Sequence, residues 1–281
     1  MAQSLDSNLG LIAGNGNFPL QFARNARAKN FSVFAVAHQG ETEPALEEEV
    51  SACCWIKVGQ LRRLVRFFLK SGVRQVAFAG GIGKPRALRD LRPDSLGLKV
   101  LAQARSSNDD ALLRAVATEL EKQGLEVISA TELVPECLPQ VGCLTKRRPN
   151  EQELRDAVIG WQAAKAIGAS DIGQTVCVWR ESIIAVEAIE GTDATIERAF
   201  KLAGSAGVVI KLPKPQQDER FDLPAIGIRS IEVMQRCKAS ALVLEAQKAV
   251  LLDPQSVISA ANSANISIIA VDSFEGFGAK L

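Results

Sequence analysis

Short apolar runs alternate with amphipathic stretches along the first half of the chain. Leu9–Ala13, Phe31–Ala37 and Val73–Ala79 have the length and composition of buried strands. Between them, the apolar residues of Leu61–Ser71 recur at the three- and four-residue spacing of one helix face. Strands that alternate with helices join through right-handed crossovers into a parallel sheet. The pattern therefore predicts an N-terminal Rossmann-like α/β domain over residues 1–134.

A segment rich in proline and glycine then interrupts the alternation. Because Pro135 and Pro149 bound this segment, we predict a linker over residues 135–149. Asn150 is a good N-cap for the helix that follows, and strand-like runs resume after it, which predicts a C-terminal α/β domain over residues 150–281. The predicted strands are 174–178, 183–186, 207–210, 241–245 and 266–271, and the predicted helices are 151–167, 193–203, 231–236 and 253–264.

The composition is that of a soluble globular protein. Of the 281 residues, 47% are hydrophobic and 23% are charged. The net charge of +1 gives no electrostatic reason to bind nucleic acid, and the absence of Tyr leaves little aromatic surface for stacking bases. We therefore expect no nucleic-acid partner.

The cysteine and histidine content argues against two common kinds of site. The six Cys form no CxxC pair, and His38 is the only histidine, so we expect reduced core thiols and no zinc site. Nothing near His38 in the sequence supports a Ser–His–Asp mechanism. The chain has no apolar run of ~20 residues and no signal-peptide pattern at its start, so we expect a cytoplasmic protein.

Two glycine-rich turns follow strands of the first domain. The first, GNGNFP, begins at Gly14 and lets backbone amides approach a phosphate at a helix N-terminus. It is not the dinucleotide fingerprint, because Pro19 stands where the third glycine would be, and the next strand ends without the acidic residue that binds a ribose. These features argue against NAD(P). A tight turn without a ligand remains an open alternative.

The second glycine-rich turn, GGIGKP, begins at Gly80. Its spacing to Lys84 differs from that of a P-loop, and no Ser or Thr follows. It does lie at the edge where open α/β sheets bind ligands, so Lys84 is a candidate contact for an anionic substrate. A solvated helix start is the alternative.

An acidic cluster follows a predicted strand of the second domain. Glu187, Glu190 and Asp193 lie within seven residues, Gly191 permits a turn, and Thr192 or Asp193 is expected to cap the next helix. Capping explains one of these residues only. Three carboxylates at a strand end suit a hard divalent cation, or a sugar phosphate held at the helix N-terminus.

A loop of mixed charge, Lys211–Gly227, follows another strand. Pro213 and Pro215 lack the amide proton that a sheet requires, so the strand ends there. Carboxylates with cations suit metal-assisted phosphoryl chemistry, whereas a solvated loop with cancelling charges is the alternative. The cations are Lys211, Lys214 and Arg220, and the carboxylates are Asp218 and Asp222.

Together these motifs resemble one family, the UDP-2,3-diacylglucosamine pyrophosphatases of the LpxI type, which act in lipid A synthesis. The resemblance rests on GLIAGNGNFP, FAGGIGKP and SNDDALLR in the first domain, and on AVEAIEGTDATIERA and KLPKPQQDERFDLPAIG in the second. The last two stretches are long and specific. Phe18 departs from the Leu that the family commonly has there.

The resemblance implies an activity. The family hydrolyses UDP-2,3-diacylglucosamine to 2,3-diacylglucosamine 1-phosphate (lipid X) and UMP, with water attacking the α-phosphorus. It implies Mg²⁺ or another divalent cation, such as Mn²⁺ or Co²⁺, as cofactor, and a homodimer. Because the substrate is a lipid-linked nucleotide sugar, peripheral contact with the inner membrane surface is also expected. The alternative is a non-catalytic nucleotide-sugar sensor on the same fold.

Carried onto this sequence, the resemblance makes Asp222 the essential residue, with Asp218 as the second catalytic candidate. The expected metal ligands are Asp222, Asp218, Glu187 and Glu190. The expected substrate contacts are Gly14, Asn15, Gly16, Gly80, Gly81, Lys84, Gly191, Thr192, Asp193, Lys211, Lys214, Gln217 and Arg220.

Overall fold

The computed structural model describes residues 7–82, 91–103, 109–221 and 223–274, and the chain divides into two compact units. The first unit is Met1–Pro135 together with Asp218–Asp222. The second unit is Glu136–Gln217 together with Leu223–Leu281. The chain thus contributes a short piece of its C-terminal half to the first unit. The segment predicted as a linker belongs to the second unit from Glu136 onward.

The first unit is an open parallel sheet with helices. Its strands are β1 (Asn8–Ala13), β2 (Ser32–His38), β3 (Ala52–Ile56), β4 (Gln75–Ala79) and β5 (Glu126–Ile128), and its helices are α1 (Phe18–Ala28), α2 (Leu61–Lys70), α3 (Ser95–Gln103) and α4 (Asp109–Lys122). The strand order is β3-β2-β1-β4-β5, and every pairing is parallel. The predicted Rossmann-like sheet is confirmed.

This strand order determines where the first glycine-rich turn lies. β1 is central and pairs with β2 on one side and with β4 on the other. The carboxyl ends of the three parallel strands, at Ala13, His38 and Ala79, therefore meet at one edge of the sheet. Both glycine-rich turns begin at that edge.

Helix α3 was not predicted from the sequence. Asp94 provides its start, because its Oδ1 accepts hydrogen bonds from the amides of Leu96 at 3.1 Å and Gly97 at 3.0 Å. A Cβ at Gly97 would lie 2.1 Å from the carbonyl oxygen of Gly59, so this helix approaches the chain before α2 closely. The Pro-Asp pair before the apolar run was the sequence signal for this start.

The second unit contains a mixed sheet. Its strands are β6 (Gly142–Cys143), β7 (Thr175–Trp179), β8 (Ser182–Val186), β9 (Gly207–Lys211), β10 (Ala225–Ile226), β11 (Ala239–Glu245), β12 (Val250–Leu251) and β13 (Ser267–Val271), and its helices are α5 (Glu151–Ala169), α6 (Thr192–Ala203), α7 (Ile228–Arg236) and α8 (Pro254–Ser263). The main sheet has the order β6-β13-β11-β9-β7-β8, and β10 pairs with β12 separately. β9, β11 and β13 are mutually parallel, whereas β6, β7 and β8 run antiparallel to their neighbours.

Apolar side chains cover both faces of this sheet. One cluster includes Ile196 and Met234 from α6 and α7, and the other includes Trp161 from α5. α5 begins at Asn150 as predicted: the Asn150 side chain accepts from the Glu153 amide at 2.9 Å, and Glu153 accepts from the Asn150 amide at 2.8 Å. Within the described residues, no helix has both the length and the apolar composition of a membrane span.

Candidate functional site

The two glycine-rich turns of the first unit pack directly against each other. The Gly14 amide donates to the Ala79 carbonyl at 2.8 Å, and the Asn15 amide donates to the Gly81 carbonyl at 2.7 Å. A Cβ at Gly14 would lie 2.3 Å from the Gly81 oxygen, and a Cβ at Gly80 would lie 2.3 Å from the Asn15 oxygen. Only glycine fits at these two positions, because the contact is backbone on backbone. The expected contacts in the two turns therefore come together, while Lys84 lies outside the described residues.

The residues that lead into α1 are exposed at the same edge. Asn15, Gly16 and Asn17 are exposed, and Gly16 has φ +79°, a conformation that favours glycine. Asn17 occupies the N-cap position but makes no side-chain capping hydrogen bond. The first amides of a helix need acceptors, and an anionic ligand is one way to supply them.

His38 is buried at the carboxyl end of β2, at the same edge of the sheet. Its Nδ1 lies 2.9 Å from the Ala13 carbonyl oxygen, which also accepts the Thr42 hydroxyl at 2.7 Å. Because a carbonyl only accepts, Nδ1 carries the proton. Burial lowers the pKa of His38, so the ring is neutral. No local sequence pattern connects His38 with the GNGNFP turn, since the connection depends on the pairing of β1 with β2.

In the second unit, a buried lysine and a buried glutamate lie at one edge of the main sheet. Lys211 ends β9 and pairs in register with Thr175, and the Glu187 amide donates to the Thr175 carbonyl at 2.8 Å. Lys211 is 7% exposed and Glu187 is 6% exposed. Burial lowers the pKa of Lys211, and the charges of Glu187 and Asp193 oppose that shift. Lys211 donates to the Ala225 carbonyl at 3.1 Å.

Helix α6 begins beside this pair. Gly191 is its N-cap, with φ +83°, and no side chain caps the helix, so the expected cap by Thr192 or Asp193 is wrong. Thr192 is instead the first helical residue, and its hydroxyl lies 3.4 Å from both Glu187 oxygens and 3.2 Å from the Thr175 hydroxyl. Gly191 provides the positive φ that the turn requires. Thr192 is therefore not needed as a cap, and its hydroxyl contacts Glu187 instead.

Glu190 and Asp193 contact cations of their own. Arg198 donates to Glu190 at 2.6 Å, and hydrogen bonds from the backbone amide of Glu190 and from Arg198 lower the pKa of Glu190 to about 2. Asp193 is partly exposed and forms an ion pair with Arg229 at 3.3 Å. Arg198 and Arg229 were not among the residues singled out from the sequence, because Arg198 lies further along α6 and Arg229 lies on α7.

The first part of the loop, in the second unit, folds on itself. Lys214 forms an ion pair with Asp171 at 2.7 Å, and its amide donates to the Gln217 side chain at 2.8 Å. The Gln217 amide in turn donates to the Lys214 carbonyl at 3.0 Å. Lys214 and Gln217 therefore form a closed turn.

The next part of the loop belongs to the first unit. Arg220 donates to both oxygens of Asp218, from Nε at 2.9 Å and from Nη2 at 2.7 Å, and the hydrogen bonds from Arg220 lower the pKa of Asp218. Arg220 Nη1 also donates to Glu121 at 2.6 Å. Asp222, which the sequence analysis expects to be the essential catalytic residue, lies outside the described residues.

The sequence matches two domain families across nearly its whole length. The LpxI N-terminal domain matches residues 8–137, and the LpxI C-terminal domain matches residues 140–269. The chain belongs to the LpxI family. A relative named UDP-2,3-diacylglucosamine pyrophosphatase LpxI, from Caulobacter vibrioides (strain ATCC 19089 / CIP 103742 / CB 15), is 34% identical over 275 residues, which are 94% of this chain and 97% of that protein.

Two solved structures that match part of this LpxI chain share little sequence with it. A multifunctional pyruvate carboxylase from Rhizobium etli is 10% identical, with a TM-score of 0.29 over 48% of this chain and 14% of that one. The biotin carboxylase domain of a thermophilic 2-oxoglutarate carboxylase is 15% identical, with a TM-score of 0.25 over 60% of this chain and 34% of that one. Likenesses this low carry no argument about fold or function.

The oxygen donors expected to bind a metal in this LpxI chain are of the right chemical type, but several are already paired. Asp218 and Glu190 each bind an arginine. Among the described residues, Glu187 forms no ion pair within 4 Å and accepts only the long Thr192 contacts named above. No group of three or more His, Cys, Asp or Glu in the described part of the chain is arranged to hold a metal ion. A metal bound by Asp218 or Glu190 would have to displace the arginine paired with that carboxylate.

Proposed function

We propose that this chain hydrolyses UDP-2,3-diacylglucosamine to 2,3-diacylglucosamine 1-phosphate and UMP, a step of lipid A synthesis. The observation that carries the proposal is the 34% identity to a protein of that name, over 94% of this chain and 97% of the relative. The described residues support it chemically: the start of α1, which no side chain caps, and the buried Lys211 at the sheet edge both suit phosphate oxygens.

We further propose that the reaction needs a divalent cation, Mg²⁺ or another such as Mn²⁺ or Co²⁺. When bound, such a cation lowers the pKa of water and neutralises charge on a phosphate. The candidate ligands are Asp222, Asp218, Glu187 and Glu190, and the arginine pairs of Asp218 and Glu190 make those two the weaker candidates. Glu187 is buried and forms no ion pair within 4 Å among the described residues, so it is the favoured metal ligand in that part of the chain.

In the proposed reaction, the oxygen of water forms a bond to the α-phosphorus. The bond from that phosphorus to the bridging oxygen breaks, and its electron pair leaves with the sugar phosphate. The Asp222 carboxylate accepts the proton from water. Lys211 and the amides at the start of α6 compensate the phosphate charge, since the charge of Glu187 acts on Lys211 and its oxygens lie 3.4 Å from the Thr192 hydroxyl at that helix start.

The direct test is hydrolysis in water enriched in ¹⁸O, with and without EDTA. Attack at the α-phosphorus places the label in UMP, and chelation abolishes turnover. Label in the sugar phosphate would contradict the proposed point of attack, and full turnover in EDTA would contradict metal dependence. Binding of the substrate without any turnover would favour the nucleotide-sugar sensor.

Asp222→Asn is expected to lower kcat by at least about 100-fold, because it removes the group proposed to accept the proton. UMP release measures this, and a thermal unfolding scan shows that the variant remains folded. Glu181→Gln is a matched control, since it removes an exposed carboxylate that pairs with Arg155 and has no proposed role in the reaction. Equal turnover of Asp222→Asn and Glu181→Gln would remove Asp222 from the reaction.

The remaining expectations concern assembly and location. We propose a homodimer in the cytoplasm that contacts the inner membrane surface to reach its lipid-linked substrate. Sedimentation velocity measures whether the protein is a dimer. Flotation with anionic phospholipid vesicles measures whether it binds a membrane surface.

A further inference from the structure

The chain crosses into the first unit for five residues and then returns. The chain belongs to the second unit up to Gln217 and again from Leu223 onward. The five residues between them, Asp218–Asp222, belong to the first unit. The backbone of this five-residue segment keeps one position on the first unit only if its side chains make contacts there. Two of them, Arg220 and Phe221, make contacts that do so.

Phe221 packs into the core of the first unit. Its ring centroid lies 5.5 Å from that of Phe78, with the rings tilted by 58°. Phe221 also belongs to the partly buried shell around the cluster that includes Phe68 and Leu120. Phe78 is the fourth residue of β4 and precedes Ala79, whose carbonyl binds the Gly14 amide. The anchor for Phe221 is therefore next to the edge that carries the two glycine-rich turns.

Arg220 holds the same segment through three partners. Its guanidinium binds both oxygens of Asp218 and one oxygen of Glu121, and Nη1 also donates to the Val127 carbonyl at 3.4 Å. The planar guanidinium fork can make all these bonds at once, whereas a lysine ammonium cannot reproduce the bidentate pair. Glu121 is on α4 and Val127 is on β5, so Arg220 connects the loop to two elements of the first unit.

We propose that Asp218, Arg220 and Phe221 form a positioning clamp, which fixes the chain immediately before Asp222 onto the first unit. Asp218 then serves Arg220 and is not a metal ligand. The proposal rests on the proposed hydrolysis, in which Asp222 is the reacting carboxylate. Phe221 directly precedes Asp222 in the sequence, so we expect a loss of the Phe221 contacts to affect the reacting group. A misplacement of ~1 Å at a reacting group can cost about 100-fold in rate.

The first test compares Phe221→Leu with Phe67→Leu. Phe67 lies in the partly buried shell of the same core, but its ring packs against Phe34 and Phe68, whereas that of Phe221 packs against Phe78. Phe221→Leu should lower kcat by about 100-fold with KM nearly unchanged, because the clamp acts on the reacting geometry. Phe67→Leu should lower the melting temperature while kcat stays near the wild-type value. Equal kcat in the two variants would overturn the clamp.

The second test is a double-mutant cycle between Asp218 and Arg220. If Asp218 acts only through Arg220, the double variant Asp218→Asn/Arg220→Gln should have the same kcat as whichever single variant has the lower kcat. The Mg²⁺ concentration for half-maximal activity should then be the same in Asp218→Asn as in the wild type. Additive losses, or a raised half-activating concentration, would instead make Asp218 a metal ligand.

Limited proteolysis tests the clamp without any activity. Trypsin should cleave after Arg220 slowly in the wild type and about tenfold faster in Phe221→Leu, because local opening controls cleavage. Phe67→Leu should be cleaved there at the wild-type rate. A wild type that releases no UMP but shows this pattern would refute the proposed function and keep the clamp. An active wild type in which Phe221→Leu changes neither kcat nor cleavage would refute the clamp alone.

Discussion

Two buried ionisable residues, His38 and Lys211, lie at the sheet edges of the two units. Burial lowers the pKa of each, because water no longer solvates the charged form. The influences that oppose burial differ: the carboxylates of Glu187 and Asp193 raise the pKa of Lys211, whereas the hydrogen bond to the Ala13 carbonyl and then the charge of Glu41 raise the pKa of His38. Lys211 is thus suited to bind an anion, and His38 is suited to fix the end of β1.

The pKa of His38 predicts how stability depends on pH. Because its folded-state pKa is below the ordinary value of 6.5, the unfolded chain binds the proton more tightly. The contribution of His38 is therefore fully present above about pH 6.5 and is lost as pH falls toward the folded-state pKa. The slope reaches at most about 1.4 kcal/mol per pH unit.

Two measurements check this prediction. The only imidazole in the chain should titrate below pH 6.5 in NMR spectra of the folded protein. Urea unfolding between pH 7.5 and 5.5 should show a loss of stability in the wild type, and the difference between wild type and His38→Asn should shrink over the same range. A titration midpoint at or above 6.5 would contradict it.

At the level of elements, helix starts differ in how their first amides are satisfied. α5 begins with a reciprocal pair of hydrogen bonds between Asn150 and Glu153, and Arg147 binds Glu153 at 2.8 Å. α1 begins at Asn17 without a side-chain cap, and α6 begins at Gly191 without one. α2 at Gln60 and α7 at Gly227 also lack a side-chain cap, so a missing cap does not by itself mark the helix starts that carry expected substrate contacts.

This difference predicts unequal effects of the same substitution. Asn150→Ala should lower the free energy of unfolding by about 1 kcal/mol, because it removes an acceptor for the Glu153 amide. Asn17→Ala, the matched control at another N-cap, should change it by only a few tenths of a kcal/mol. Urea unfolding of both variants provides the comparison, and a larger loss in Asn17→Ala would contradict the assignment.

At the scale of the whole molecule, a residue from the C-terminal half stabilises the N-terminal unit. Phe221 contributes its ring to the first-unit core, so Phe221→Ala should loosen a sheet whose strands lie far earlier in the sequence. We expect a loss of about 1–3 kcal/mol in the opening free energy of β4, because the substitution removes a partly buried ring. Amide hydrogen exchange of residues 75–79 measures that opening.

Phe200→Ala is the matched control for this prediction. Phe200 packs against the second-unit core, so its loss should speed exchange in residues 207–211 and leave residues 75–79 unchanged. Phe221→Ala should show the reverse pattern. Faster exchange of residues 207–211 alone in Phe221→Ala would show that the ring serves the second unit.

The sequence by itself determined the alternation of strands and helices, the cap at Asn150, the positions of the glycine-rich turns and the family. These follow from local patterns, since hydrophobic period, capping residues and glycine act over a few positions. The same patterns missed α3 and the short strand β6, and they assigned the α6 cap to Thr192 or Asp193 although Gly191 takes that position. Short elements carry too few residues for a period to stand out.

Only the tertiary structure decided which distant residues meet. The ion pair between Arg220 and Glu121 spans 99 positions, and the packing of Phe221 on Phe78 joins the two halves of the chain. The backbone contact between Gly14 and Gly81 likewise depends on β1 lying beside β4. Such contacts arise from strand order and core packing, which no local pattern encodes. A loop that the sequence shows as a patch of mixed charge therefore becomes, in the fold, a segment with its arginine and phenylalanine held by the first unit.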